Sequence, residues 1–197
     1  MHTVCGHAYD DYIHMVRSFH GAAAPGMLLG GYMVDLGLQN ISQGQIFDAI
    51  CETGQCLPDA IQLLTPCTVG NGWLKILPLG RFALALYDKY EGFGVRVSMD
   101  HHLLRNKPGI KEWYYKLKPK KEQNTDRLIQ EIVQAETGLF RVESVRIQSN
   151  LLKKSSMGPT GNCPVCGEGY PIQDGRMCRA CQGQSPYVLH ELHAAEK

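Results

Sequence analysis

The chain has 197 residues, 44% of them hydrophobic and 20% charged, with a formal net charge of +1. That size suits one ordinary domain plus a small module, and the near-neutral balance excludes a chain whose overall charge is built for nucleic acid or an anionic membrane. No apolar run approaches the roughly 18 residues of a membrane-spanning helix, and the opening "MHTVCGHAYDDYIHMVRSFHG" has no apolar signal-peptide core, so a cytoplasmic protein is expected.

Tyr12, Ile13, Val16 and Phe19 recur at helical spacing and predict a first helix ending near His20. Asp10 and Asp11 suit its positive end. Cys5 and His7, ahead of it, read as a mobile end able to lend a ligand, and His14 points to another part of the helix surface than His20. Residues 21–24 break or bend the helix. Pro25 fits the first turn of a second helix, to which Leu28, Leu29, Tyr32, Met33 and Leu36 give a wide apolar face. Gly30 and Gly31 cost that helix about 1 kcal/mol each relative to alanine, so close approach by another chain segment or by a ligand is expected there.

"QIFDAICET" reads as a strand carrying Ile46, Ala49 and Cys51. "CLPDAIQLLT" follows as a short helix with Pro58 in its first turn and Asp59 near its positive end. After the loop "TPCTVGNG", three strand-like runs, "GWLKILPL", "RFALALYDKY" and "GFGVRVSM", are separated by closely spaced turn signals and predict an antiparallel meander. Helical stretches are expected over residues 102–117, interrupted by Pro108-Gly109, and over residues 125–137. "LFRVESVRIQS" alternates apolar and polar residues as a late strand does, and "KKSSMGPTGN" is a polar linker. The expected organisation is an α+β core over residues 1–152, with helices packed on an antiparallel sheet, and a small domain over residues 153–197.

The stretch "RNKPGIKEWYYKLKPKK" holds seven basic residues and three aromatics, with Glu112 its lone acid. Two readings stay open. Lys116, Lys118, Lys120 and Lys121 with the aromatics would suit phosphate contact and base stacking. Alternatively the lysines face water while Trp113 and Tyr114 pack inward.

The sharpest signal is "CPVCGEGYPIQDGRMCRAC". Two CxxC turns offer the thiols of Cys163, Cys166, Cys178 and Cys181, a tetrahedral all-sulfur set suited to zinc. Eleven residues separate the pairs, which is short for the common fingers and leaves the finger type open. Disulfides and a redox CxxC are the competing readings; a cytoplasmic setting argues against the first, and the doubled motif against the second. So small a module has little core, and metal would supply much of its folding energy. His190 and His193 follow as tail residues able to substitute as ligands.

The strings "FHGAAAPGMLLGGYMVDLG", "ICETGQCLPDAIQLLTPCTVGNGWLKI" and "GRFALALYD…GFGVRV", in this order across residues 9–97, resemble the formylmethanofuran dehydrogenase E-subunit (FmdE) family. The family's name comes from the molybdenum or tungsten enzyme that fixes CO2 onto methanofuran in methanogenesis, in which FmdE is not the catalytic component. The resemblance implies an α+β core, a tightly intertwined homodimer and, as in some members, a C-terminal zinc finger. The family's usual His-Gly-His-x-Cys-Pro-Gly is reduced here: His20, Gly21, Pro25 and Gly26 match, while Ala22 and Ala24 replace two ligand-type residues. His20 with Cys56 and Cys67 remains as a candidate core site for a second metal ion, with an open position for water or substrate and with Asp59 accepting the histidine's other N–H. The alternative is two small buried cysteines and a helix-end histidine.

These features support an accessory or regulatory protein acting through a zinc finger on a protein or nucleic acid. A metal sensor or metal-handling protein, and a non-catalytic subunit of a molybdenum or tungsten formylmethanofuran dehydrogenase, are the alternatives. No catalytic triad, phosphate loop or paired-carboxylate motif assigns a reaction to the chain alone, and no membrane partner is expected.

Overall fold

A helix apolar around its whole circumference has to be buried on every side, and α2 (Pro25–Gln39) is that helix. Its residues from Gly26 to Val34 are all buried, although only part of that surface was expected to be. The computed structural model describes residues 2–153 and 158–188, and the chain divides into two compact units at Lys153 and Lys154.

In the first unit α2 packs against α3 (Leu57–Leu64), α5 (Thr125–Ala135) and one face of a five-stranded sheet, and α1 (Tyr9–His20) packs against α3. The α2 glycines permit close helix packing. A Cβ on Gly30 would lie 2.7 Å from Ala60 Cβ, and one on Gly31 would lie 2.6 Å from Tyr12 Cζ. Tyr12 is fully buried there and its hydroxyl donates to the Met27 carbonyl at 2.6 Å. Helix contact, not a ligand, therefore explains both glycines.

Ahead of α1, β1 (Thr3–Val4) and β2 (His7–Ala8) form a small antiparallel hairpin turning through Cys5 and Gly6. The expected mobile end is thus ordered: Val4 is fully buried in the core, and burial, aided by the Asp35 charge, pushes the Cys5 thiol up to about 12.

The sheet order is β4-β3-β5-β6-β7, formed by β3 (Phe47–Cys51), β4 (Leu74–Ile76), β5 (Ala83–Asp88), β6 (Phe93–Met99) and β7 (Phe140–Arg146). Its last three strands form an antiparallel run, and β3 pairs antiparallel with β5. β4 departs from the expected meander. It lies on the far edge, parallel to β3 with Ala49 opposite Leu74, because α3 intervenes and carries the chain back before it re-enters the sheet.

Period-two alternation gives the sheet two different faces. Ala49, Cys51, Leu84, Leu86 and Val97 meet the helices. The other face carries Ile50, Ala85 and Tyr87, covered by Leu77, Ile147 and the leucines of α6 (Ser149–Leu152). Charge crosses that second face in a ladder. Arg96 Nε reaches Glu52 Oε1 at 2.7 Å and Arg96 Nη1 reaches Glu143 Oε2 at 2.7 Å, joining the end of β3 to β6 and β7; Arg81 adds a contact to Glu52 at 2.7 Å.

Pro108 begins a helix where an interruption was expected. α4 (Pro108–Tyr114) follows a 3-10 turn over Leu103–Asn106, with proline at its first turn. The α5 helix is capped by Asn124, whose side chain accepts the Arg127 N–H at 2.9 Å.

In the second unit, β8 (Thr160–Asn162) and β9 (Gly169–Pro171) form a hairpin, followed by a 3-10 turn at Ile172–Asp174 and a kinked helical turn at Ala180–Gln184. The end of the expected linker is thus a strand. Tyr170 is buried and its hydroxyl donates to the Gly175 carbonyl at 3.0 Å. No helix among the described residues is long and apolar enough to cross a membrane.

Candidate functional site

The β8–β9 hairpin ends in a tight turn that holds Cys163 and Cys166. The helical turn that follows begins beside Cys178 and contains Cys181. The four sulfurs all lie within 4.8 Å of one another. The Cys166 and Cys178 sulfurs are 3.7 Å apart, far from a disulfide bond. A zinc tetrahedron with Zn–S bonds of about 2.3 Å has S···S edges of about 3.8 Å, which this spacing matches.

Backbone donors converge on the same sulfurs. The Cys178 N–H points at Cys163 Sγ from 3.5 Å and the Cys181 N–H at Cys178 Sγ from 3.4 Å. Backbone N–H groups of Cys166 and Cys178 lower the Cys163 thiol to about 6. Cys166 and Cys181 respond oppositely, and Cys181, hydrogen-bonded to the Cys178 sulfur and desolvated, is pushed up to about 12. One thiolate opposes the next, and only a cation at the centre lets all four ionise together. The cluster therefore fits zinc, held by four protein ligands with no position left open for chemistry. His190 and His193 lie outside the described residues.

The core candidates do not converge. Among the described residues, the groups of three or more metal-ligand side chains are this cysteine cluster and Asp100–His101–His102; His20, Cys56 and Cys67 form none. The reason is the length of α3. Cys56 caps one end and Cys67 follows the other, with the eight-residue helix, about 12 Å long, between them. Cys67 is fully buried, its thiol pushed up to about 11 chiefly by burial, and it donates weakly to the Phe47 carbonyl at 3.5 Å. Cys56 is also raised, first by burial and then by Asp59. One part of the expected site is present: His20 Nδ1 meets Asp59 Oδ2 at 2.7 Å, locking the end of α1 to the first turn of α3. His14 is exposed, away from this contact.

Asp100, His101 and His102 are adjacent in sequence, a triplet sequence reasoning passed over. Asp100 Oδ1 accepts the His102 N–H at 2.9 Å and the Asp100 carbonyl accepts the Leu103 N–H, so the triplet opens the 3-10 turn. In the basic stretch Lys116, Lys118, Lys120 and Lys121 are exposed, while Trp113 and Tyr114 are half-buried against the core. Lys118 pairs with Glu112 at 2.8 Å. Two of its three aromatics thus lie partly packed against the core, and Tyr115 is exposed.

Comparison with known proteins agrees with this division. Residues 19–147 match the family model described as FmdE, molybdenum formylmethanofuran dehydrogenase operon. Residues 154–188 match the FmdE treble clef zinc finger, which settles the finger type. A crystal structure of a tungsten formylmethanofuran dehydrogenase FmdE-like protein from Syntrophus aciditrophicus is 46% identical, covers 94% of this chain and 98% of its own, and superposes with a TM-score of 0.88. A probable S-adenosyl-L-methionine-binding protein of Archaeoglobus fulgidus is 27% identical over 85% of this chain. The chain spans about half, 51%, of that relative's length.

Proposed function

The chain belongs to the FmdE family, and on that footing we propose that it is a metal-binding accessory protein whose zinc-ordered module engages another protein. The observation that carries this reading is the closed four-thiolate cluster, a centre suited to ordering a small surface and not to turning over a substrate.

The composition of that surface favours protein over nucleic acid. In the described part of the module, Arg176 and Arg179 are balanced by Glu168 and Asp174, so the excess positive charge that phosphate binding draws on is missing. Val165, Tyr187 and Val188 are exposed at 66%, 76% and 81%, apolar area of the sort that protein interfaces bury. The reading includes a homodimer: Ile46, Tyr90 and Phe93 are exposed apolar side chains at one end of the sheet. It also places the protein in the cytoplasm, where thiols stay reduced for zinc.

The name of the 46% identical neighbour favours a second reading, a non-catalytic subunit of a molybdenum or tungsten formylmethanofuran dehydrogenase. One experiment separates the two. The tagged full-length chain and its Cys163→Ser/Cys166→Ser variant are isolated from the native source, with metal per chain and chain mass in solution measured on both. The accessory reading expects about one zinc per chain, a dimer, and a stoichiometric protein complex that the variant loses. Molybdopterin-bearing subunits in that complex would favour the second reading. A complex that survives zinc loss, or one made only with nucleic acid, overturns the module's proposed role. Two metal ions per chain, one surviving the substitutions, would restore a core site and a metal-handling function.

A further inference from the structure

Beside the first turn of α2, unit 1 contains a two-lobed cleft that the zinc chemistry does not use. One lobe encloses about 570 Å³ and is lined by Gly26, Cys56, Phe82, Trp113, Lys116 and Lys120 among others. The adjoining lobe, about 490 Å³, shares Pro25, Trp113, Lys116 and Lys120. These volumes are those of pockets that hold small organic molecules.

Its chemistry is one-sided. Phe82 stands edge-on to Trp113, with ring centroids 6.1 Å apart and planes at 89°, and Tyr114 adds a third ring to the wall. The Lys116 ammonium lies 5.0 Å from the Trp113 ring centroid. No carboxylate lines either lobe. Among the described residues Lys118 already has Glu112, whereas neither Lys116 nor Lys120 forms an ion pair. Asp59, the acid whose charge bears on Cys56, is held by His20. The Gly26 N–H, in the first turn of a fifteen-residue helix, has no partner within that helix and adds its positive end.

The backbone is held in uncommon shapes around the same space. Cys56 has φ 47° and ψ −48°, with the Leu57 N–H turned back onto the Gln55 carbonyl, a strained γ-turn. Lys116 has φ 55° where glycine is the ordinary choice. Cys5 and Glu136 are the other described non-glycine residues at positive φ, so two of these four line one cleft, and such strain gathers at binding sites. Gly26 keeps the floor low: a Cβ there would sit 3.0 Å from Cys56 Sγ.

We infer that this cleft binds a small organic anion joining a flat aromatic ring to a phosphate, the ring against Trp113 and the phosphate at Lys116 and Lys120. Two ammonium groups and a helix positive end match the near-dianionic charge of a phosphate monoester at neutral pH. A ring packed on tryptophan supplies the apolar part of the affinity. The inference does not depend on the module's partner and stands or falls separately from it.

The test is calorimetric titration of the zinc-loaded, full-length protein with AMP, flavin mononucleotide and phenyl phosphate. Adenosine, riboflavin, phenol and inorganic phosphate serve as the matched halves. At least one ring phosphate is expected to bind tenfold or more tightly than both of its halves. Lys116→Gln and Lys120→Gln are each expected to weaken it at least tenfold, while Lys111→Gln, on α4 with Trp113 but outside the lining, changes it less than twofold. These are exposed polar replacements, and circular dichroism verifies the fold. Ring phosphates that bind no more tightly than inorganic phosphate, or affinity unchanged in both lining variants, would overturn the inference.

Discussion

Gly30, where close approach by another segment was expected, shows packing overruling intrinsic helix propensity. Intrinsic propensity says that alanine there should strengthen α2 by about 1 kcal/mol. Ala60 Cβ, 2.7 Å from where the new methyl would stand, says the opposite. Both atoms belong to rigid helix surfaces, so relief requires the helices to part, at a cost of about 1–3 kcal/mol. Gly30→Ala is therefore expected to lower the urea midpoint with an unchanged slope; a raised midpoint would mean the helices yield freely. Cys67 teaches a similar lesson. The family resemblance offers it as a ligand beside Cys56, but its thiol is buried and protonated beside the Phe47 carbonyl. Cys67→Ala should leave the metal content of the purified protein at the wild-type value, and a loss of one ion would show that the core residues do converge on a metal.

Among the elements, the helices were the more legible part. Apolar spacing and Pro25, Pro58 and the Thr125 region marked α2, α3 and α5 closely, because helix contacts lie three or four residues apart in sequence. The place of β4 was not legible, since three similar runs in a row say nothing about which strand each one pairs with. The Glu52–Arg96–Glu143 ladder was equally hidden, joining residues 44 and 47 positions apart. Burial alone would raise the Glu52 carboxyl, but Arg96 and Arg81 outweigh it and hold the pKa below its ordinary 4.5. The ladder's contribution is then complete above about pH 4.5 and is lost as pH falls through the lower folded value. Arg96→Met, which strips the main partner from a buried glutamate, should cost about 3 kcal/mol at pH 7. It should also flatten the loss of stability between neutral and acid pH, measured by denaturant unfolding at each pH. An equally steep acid loss in the variant would place the proton uptake elsewhere.

For the whole molecule, the two units are stabilised by different means. Unit 1 has a continuous core running from Val4 to Phe140; in unit 2 the buried apolar side chains among the described residues are Cys163 and Tyr170. Burial of apolar area can sustain the first, while the second depends on a metal ion linking its two turns. Chelation of zinc should abolish amide protection in β8 and β9 and leave protection in β3, β5 and β6 at its starting level, read by hydrogen exchange. Simultaneous collapse of both units would show that they fold as one. What could be known from amino-acid order alone was whatever local spacing encodes: the paired CxxC turns, the helix periods, the family strings and the break between core and finger. The tertiary structure alone decided which glycines face helices, which edge β4 takes, that His20, Cys56 and Cys67 stay apart, and that Trp113 and Lys116 share a cleft with Cys56. These depend on contacts between residues distant in the chain, and no local period or spacing carries the geometry of such a contact.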